Sequence, residues 1–185
     1  MRIGVFIIFL VVVVVLDTRF MEALRIGAVI PSLAGTLAVF LVLCAPRRSA
    51  LWACLALGLL LDFSEFALFD GGRPYHLIGP YTLGFLFGAN LVQPLRSMVF
   101  NRNPLTFGLL TFIFLVGVTI IYLALWRVRG FYPGSPPPWG IDGVMSELGR
   151  RLMWALYSAV IAVPVGWALV RSTPIWGFVG GTIPR

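Results

Sequence analysis

Residues 3–16 hold no charged and no polar side chain. Five more apolar stretches follow, at about 26–45, 49–69, 75–95, 105–126 and 152–170, parted by short segments that carry most of the charge. This pattern constrains the fold more than any motif does. Soluble domains are roughly 25% charged. This chain of 185 residues is 11% charged and 59% hydrophobic, with a mean hydropathy of +0.97. A soluble fold of this size has too little interior to hide so much apolar surface. A bilayer-spanning helix takes about 20 apolar residues. Six spans use about 120 residues and leave about 65 for loops, which excludes a large aqueous nucleotide-binding or hydrolase domain. In lipid an open strand leaves its backbone unpaired, so even the valine run 11–15 is expected to be helical. The expected class is an all-α integral membrane protein, a compact bundle of about six transmembrane helices with short loops. The helical domain covers 1–171, and an irregular Gly- and Pro-rich tail covers 172–185. Arg2 and the apolar run after it resemble a signal peptide, but no small-x-small cleavage site follows, so the run reads as a retained first helix.

The net charge of +7 comes entirely from arginine. The arginines stand singly or in pairs between apolar stretches, which fits loop charges at membrane interfaces and not a nucleic-acid surface. With both termini cytoplasmic, Arg2, Arg47, Arg48, Arg96, Arg102, Arg171 and Arg185 lie inside. Arg19, Arg25, Arg73, Arg127, Arg129, Arg150 and Arg151 then lie outside. The tie leaves the positive-inside rule undecided. All seven acids fall in or beside the outer loops, and the two short arginine-bearing turns without acids are placed in the cytoplasm. Between Arg19 and Arg25 the polar residues fall at helical spacing, as an interfacial amphipathic turn or a continuation of the first helix. The triple proline 136–138 reads as stiff chain outside the lipid.

Asp62 and Glu65 stand inside the third apolar stretch, three residues apart, which on a helix puts both carboxylates on one face. Charges at membrane depth usually face a bundle interior or an aqueous cavity. A proton or ion site is the functional reading. An acid that fixes helix packing is the structural one, and the shallow depth and the lack of a carboxylate in any other span favour it. Glu65, Asp70, Arg73 and His76 form an expected outer-face polar cluster. His76 has too few companions for a metal site, and Cys44 and Cys54 lack metal or disulfide spacing. Gly79, Gly84 and Gly88 lie along the fourth stretch, and Gly84-x-x-x-Gly88 lets helices approach closely. Tyr122, Trp126, Trp139, Trp154 and Trp176 are expected in interfacial aromatic belts. No motif indicates catalysis, a cofactor or a metal.

Ile30-Pro31-Ser32-Leu33, then an apolar helix, an arginine-bearing turn, and Leu57-Gly58-Leu59-Leu60-Leu61-Asp62 resemble the rod shape-determining MreD family. The helix start Leu77-Ile78-Gly79-Pro80-Tyr81-Thr82-Leu83-Gly84 extends the resemblance, which covers roughly residues 28–100. The family often has Asp after that proline, where this chain has Ser32. Its connection between Asp62 and Gly79 is also usually shorter. The resemblance implies a non-enzymatic inner-membrane scaffold of the cell-elongation machinery, supporting peptidoglycan synthesis and cell shape. Its implied partners are an MreC-like single-span protein, RodA with its penicillin-binding transpeptidase, and MreB indirectly. Pro31, Gly58, Asp62, Gly79, Gly84 and Gly88 would then shape the bundle or a partner groove. A second class also fits the length and span count: the substrate-binding component of energy-coupling-factor vitamin transporters, with the outer polar cluster lining a pocket.

Overall fold

Each of the six apolar stretches contains one helix, because a helix satisfies its own backbone groups without water. The computed structural model describes residues 3–27, 29–64, 67–68, 74–75, 77–96, 104–131, 139 and 143–176. Helix α1 is Ile3–Val15, continued by a π-helical turn, Leu16–Phe20, and a 3-10 turn, Met21–Leu24. Then come α2 (Leu33–Cys44), α3 (Arg47–Ser64), α4 (Pro80–Val92), α5 (Pro104–Arg129), α6 (Gly143–Arg171) and a short α7 (Thr173–Trp176). Between α3 and α4 the two-residue strands β1 (Ala67–Leu68) and β2 (Pro74–Tyr75) pair antiparallel.

Among the described residues two helices, α5 with 26 residues and α6 with 29, are long and apolar enough to cross a membrane. The others run 12 to 18 residues, apart from the single turn of α7. Every residue of α2 is buried. It is apolar on all sides apart from Thr36, so it suits only the centre of the fold. The helices α1, α3, α4, α5 and α6 all pack on it. Large apolar side chains point outward on the enclosing helices, among them Ile8 on α1, Leu105 on α5 and Val160 on α6.

Several boundaries differ from the apolar pattern, each for a local reason. The stretch 26–45 becomes helical only at Leu33. Gly27 takes a left-handed conformation (φ 60), and Ile26 and Val29 pair across it. Pro31 then holds its neighbour Ile30 out of helical geometry. Helix α3 is described as far as Ser64, so the expected shared face of Asp62 and Glu65 falls outside the described residues at Glu65. Helix α6 begins at Gly143, well before the sixth apolar stretch, and so includes Glu147, Arg150 and Arg151.

The segment beyond Arg171 departs from an irregular tail. Helix α7 brings Trp176 into full burial, 4.5 Å from the Phe9 ring and 5.1 Å from the Phe40 ring. Tyr122 and Trp126 are likewise buried among the helices. Trp139 and Trp154 are half-buried.

Candidate functional site

The chain reverses at each turn, so the starts of α2, α4 and α6 gather at one end of the bundle with the ends of α1, α3 and α5. The polar residues of interest collect there. A helix start leaves N–H groups without intrahelical partners, and burial makes each one costly.

Asp62 answers that need for α4. Gly58 lies one turn before it on α3. A Cβ at Gly58 would stand 2.6 Å from the Thr82 Cα and 2.7 Å from the Tyr81 carbonyl oxygen. Only a bare backbone lets α4 come so close. From there the Asp62 carboxylate accepts four hydrogen bonds. Tyr81 N–H donates to Oδ1 at 2.8 Å, and Gly79 N–H and Thr82 N–H each donate to Oδ2 at 2.9 Å. The Thr82 hydroxyl adds a fourth to Oδ2 at 2.6 Å. Pro80 has no N–H to leave unpaired, and Gly79 holds φ 136, where a Cβ would be strained. Negative charge also suits the positive end of the helix dipole. Asp62 is 2% exposed and Tyr81 is buried, while Gly79 and Thr82 are partly exposed.

Asp17, one residue past the first apolar stretch, does the same for α2. Its two oxygens accept from Leu33 N–H at 2.6 Å and Ala34 N–H at 3.0 Å. The Ser32 hydroxyl accepts from Gly35 N–H at 3.2 Å. Ser32 N–H in turn donates to the Ser158 hydroxyl of α6 at 2.9 Å. Burial pushes the Asp17 carboxyl up to about 6, against the pull of the Leu33 and Ala34 amides. At the opposite end, Arg96 donates to the Ala45 carbonyl at 3.1 Å, so a cation meets the C-terminus of α2.

A third group joins α4 to α6. Arg151 Nε donates to Glu147 Oε1 at 2.7 Å, and its Nη1 donates to the Tyr81 hydroxyl at 3.2 Å. Its guanidinium lies 3.3 Å from the Tyr122 ring centre, so its charge is held against an aromatic face. Glu147 and Arg151 are each 5% exposed. Arg150 grips the same carboxylate with two bonds of 2.8 and 2.6 Å while its side chain stays half-exposed. In the sequence Glu147, Arg150 and Arg151 stand outside the sixth apolar stretch, among the loop charges. Their i, i+3 and i, i+4 spacing was the available signal.

Beside these groups opens a cavity of about 270 Å³. Its polar lining is Asp17, Ser32, Tyr81, Arg150 and Arg151, and Ile30, Pro31, Leu61 and Trp154 supply apolar walls. Of the residues singled out from sequence, Pro31 lines this cavity, while Gly58, Asp62 and Gly79 form the joint between α3 and α4. Gly84 and Gly88 lie elsewhere, where α4 meets α5 at Val118 and Phe114. Glu65, Asp70, Arg73 and His76 lie outside the described residues. Among the described residues no group of three or more His, Cys, Asp or Glu could hold a metal ion.

Comparison of this chain with protein-family models, with curated proteins and with solved structures finds no match.

Proposed function

We propose that the chain is a non-enzymatic scaffold of the MreD type in a bacterial inner membrane, seating a transmembrane helix of an MreC-like partner. In this reading all six apolar stretches cross the bilayer. Both termini are cytoplasmic, and the end with Asp17, Asp62 and Arg150 faces outward. Through the partner it supports the wall-synthesis enzymes of cell elongation.

The observation that carries the proposal is the use made of Asp62. Four donors occupy its carboxylate, and Gly58 lets α4 approach, so the pair acts as a joint between helices. That use favours a shape-holding role over proton carriage or acid catalysis at this residue. These two residues also anchor the family resemblance. Outward apolar side chains on α1, α5 and α6 suit lipid and a helical partner.

The test is affinity purification of the chain from its native membrane in mild detergent, with mass spectrometry of proteins and small molecules. The expected result is recovery of a single-span protein with an extracytoplasmic coiled coil, together with a glycosyltransferase and transpeptidase of wall synthesis. Recovery of ATPase subunits and a stoichiometric vitamin instead would replace the scaffold with a transporter subunit.

A further inference from the structure

We infer that the cavity beside Asp17 and Arg150 binds a small zwitterion, an ammonium and a carboxylate on one apolar body, with the ammonium held by Asp17 and the carboxylate by Arg150. The site rests on the cavity alone, and on neither the membrane placement nor the partner.

Charge decides the class of ligand. Arg150, Arg151 and Asp17 line the cavity, and Glu147 stands between the two arginines. Two cations thus meet two carboxylates, and the group has no net charge to draw a simple anion or a simple cation. The charges are nonetheless kept apart. Glu147 holds both arginines on α6. Asp17 stands on the π-helical turn after α1 and makes no ion pair among the described residues. Its carboxyl, raised to about 6, is ionised at neutral pH. A negative and a positive wall therefore share one cavity, and apolar surroundings screen the field between them weakly. A lone anion gains at Arg150 and loses at Asp17, and a lone cation does the reverse. A ligand with both charges gains at each wall.

Both groups have capacity left. A carboxylate offers roughly four acceptor positions. The Leu33 and Ala34 amides take two at Asp17, and the Ser32 hydroxyl lies beside the same carboxylate. Arg150 gives Nε and Nη2 to Glu147, and among the described residues its Nη1 makes no hydrogen bond. Its side chain is 48% exposed, which opens the remaining N–H groups to a ligand carboxylate. Arg151 is committed to Glu147, the Tyr81 hydroxyl and the Tyr122 ring, and serves as part of the wall. Ile30, Pro31, Leu61 and Trp154 give the apolar body its surface. A cavity of about 150 Å³ holds benzene, so one of about 270 Å³ holds a ligand of about ten heavy atoms. The π-helical turn that carries Asp17 is a rare local form that recurs at functional sites.

The test titrates the full chain in neutral detergent at neutral pH and reads affinity by calorimetry. The probes are leucine and ε-aminocaproate, zwitterions of that size whose charges stand close together and far apart, with caproate and hexylamine as the forms with one charge each. At least one zwitterion is expected to bind, about tenfold tighter than either single-charge compound, since each of those lacks one charge-assisted hydrogen bond. Arg150→Gln should weaken the zwitterion about tenfold and bind hexylamine no more weakly than the wild type does. Asp17→Asn should weaken the zwitterion about tenfold and bind caproate no more weakly. Arg171→Gln, at the far end of α6, should change nothing. Absence of binding by both zwitterions overturns the site, and so does undiminished binding in Arg150→Gln or Asp17→Asn. Caproate or hexylamine binding as tightly as the zwitterion overturns the zwitterion and leaves a singly charged ligand. If the charge variants do not fold, Ile30→Trp fills the cavity without altering charge, and retained binding in that variant overturns the site equally. None of these results touches the partner reading, which is measured by copurification.

Discussion

Asp17 and Asp62 perform one task in two ways. Each stands near the end of a helical segment, each reaches across a connection, and each accepts from the first amides of the next helix. Asp62 works alone and at close range. Gly58 brings the backbone of α4 against α3, and a single side chain takes four donors. Asp17 stands on a π-helical turn, takes two donors and leaves a third to Ser32, which is itself held by Ser158 of α6. The first joint is a tight contact between two helices. The second is shared among three segments. The tight joint should therefore fail abruptly when altered, and the shared one by degrees.

The largest effect is expected from Asp62→Ala, which strands the buried Tyr81 N–H and the partly buried Gly79 N–H, Thr82 N–H and Thr82 hydroxyl. A loss of about 4 kcal/mol is expected, because each unsatisfied buried donor costs about 1–3 kcal/mol and water or relaxation recovers part. Asp17→Ala should cost about 2 kcal/mol, near the upper range for a lost N-cap. Denaturant unfolding in detergent measures both, and equal losses would break the comparison.

The positions one turn earlier sharpen it. Gly58→Ala pushes a methyl into backbone and should cost about 2–3 kcal/mol by overpacking. The corresponding residue before Asp17 is Val13, buried at 8%. Val13→Ala should cost about 1 kcal/mol through a small lost contact. If Gly58→Ala is neutral, the two joints do not differ in tightness.

Gly84→Leu tests whether close approach extends along α4, since its Cβ would lie 3.2 Å from the Val118 Cα and carbonyl oxygen. It should lower the melting temperature clearly. Gly149→Leu, where a Cβ meets nothing within 4 Å, should not. Matching melting temperatures would count against the α4–α5 contact.

The smallest expected effect is a pH dependence at the shared joint. Asp17 rises from an ordinary 3.8 to about 6, so between those values the folded state holds the proton more firmly than the unfolded chain. Its contribution is full below about 4 and is lost as pH rises through about 6. Asp17→Asn should flatten that part of the stability profile. An unchanged profile would remove the titration from Asp17.

The amino-acid sequence by itself determined the helical class and the number of apolar stretches. Hydropathy acts locally, and a backbone shielded from water pairs within its own segment. Asp62 was legible as a charge inside an apolar stretch, where spacing paired it with Glu65, and Gly58 joined it only through the family resemblance. What Asp62 holds was not legible, because its partners are 17 to 20 residues away. Glu147 and Arg151 looked like loop charges, because their burial depends on Tyr81, 70 residues from Arg151, and on Tyr122. Trp176 looked like a belt residue until Phe9 and Phe40 met it in the fold. Local pattern decides where helices form. Which buried charge meets which helix end is decided only by tertiary packing, because distant segments must first be brought together to exclude water.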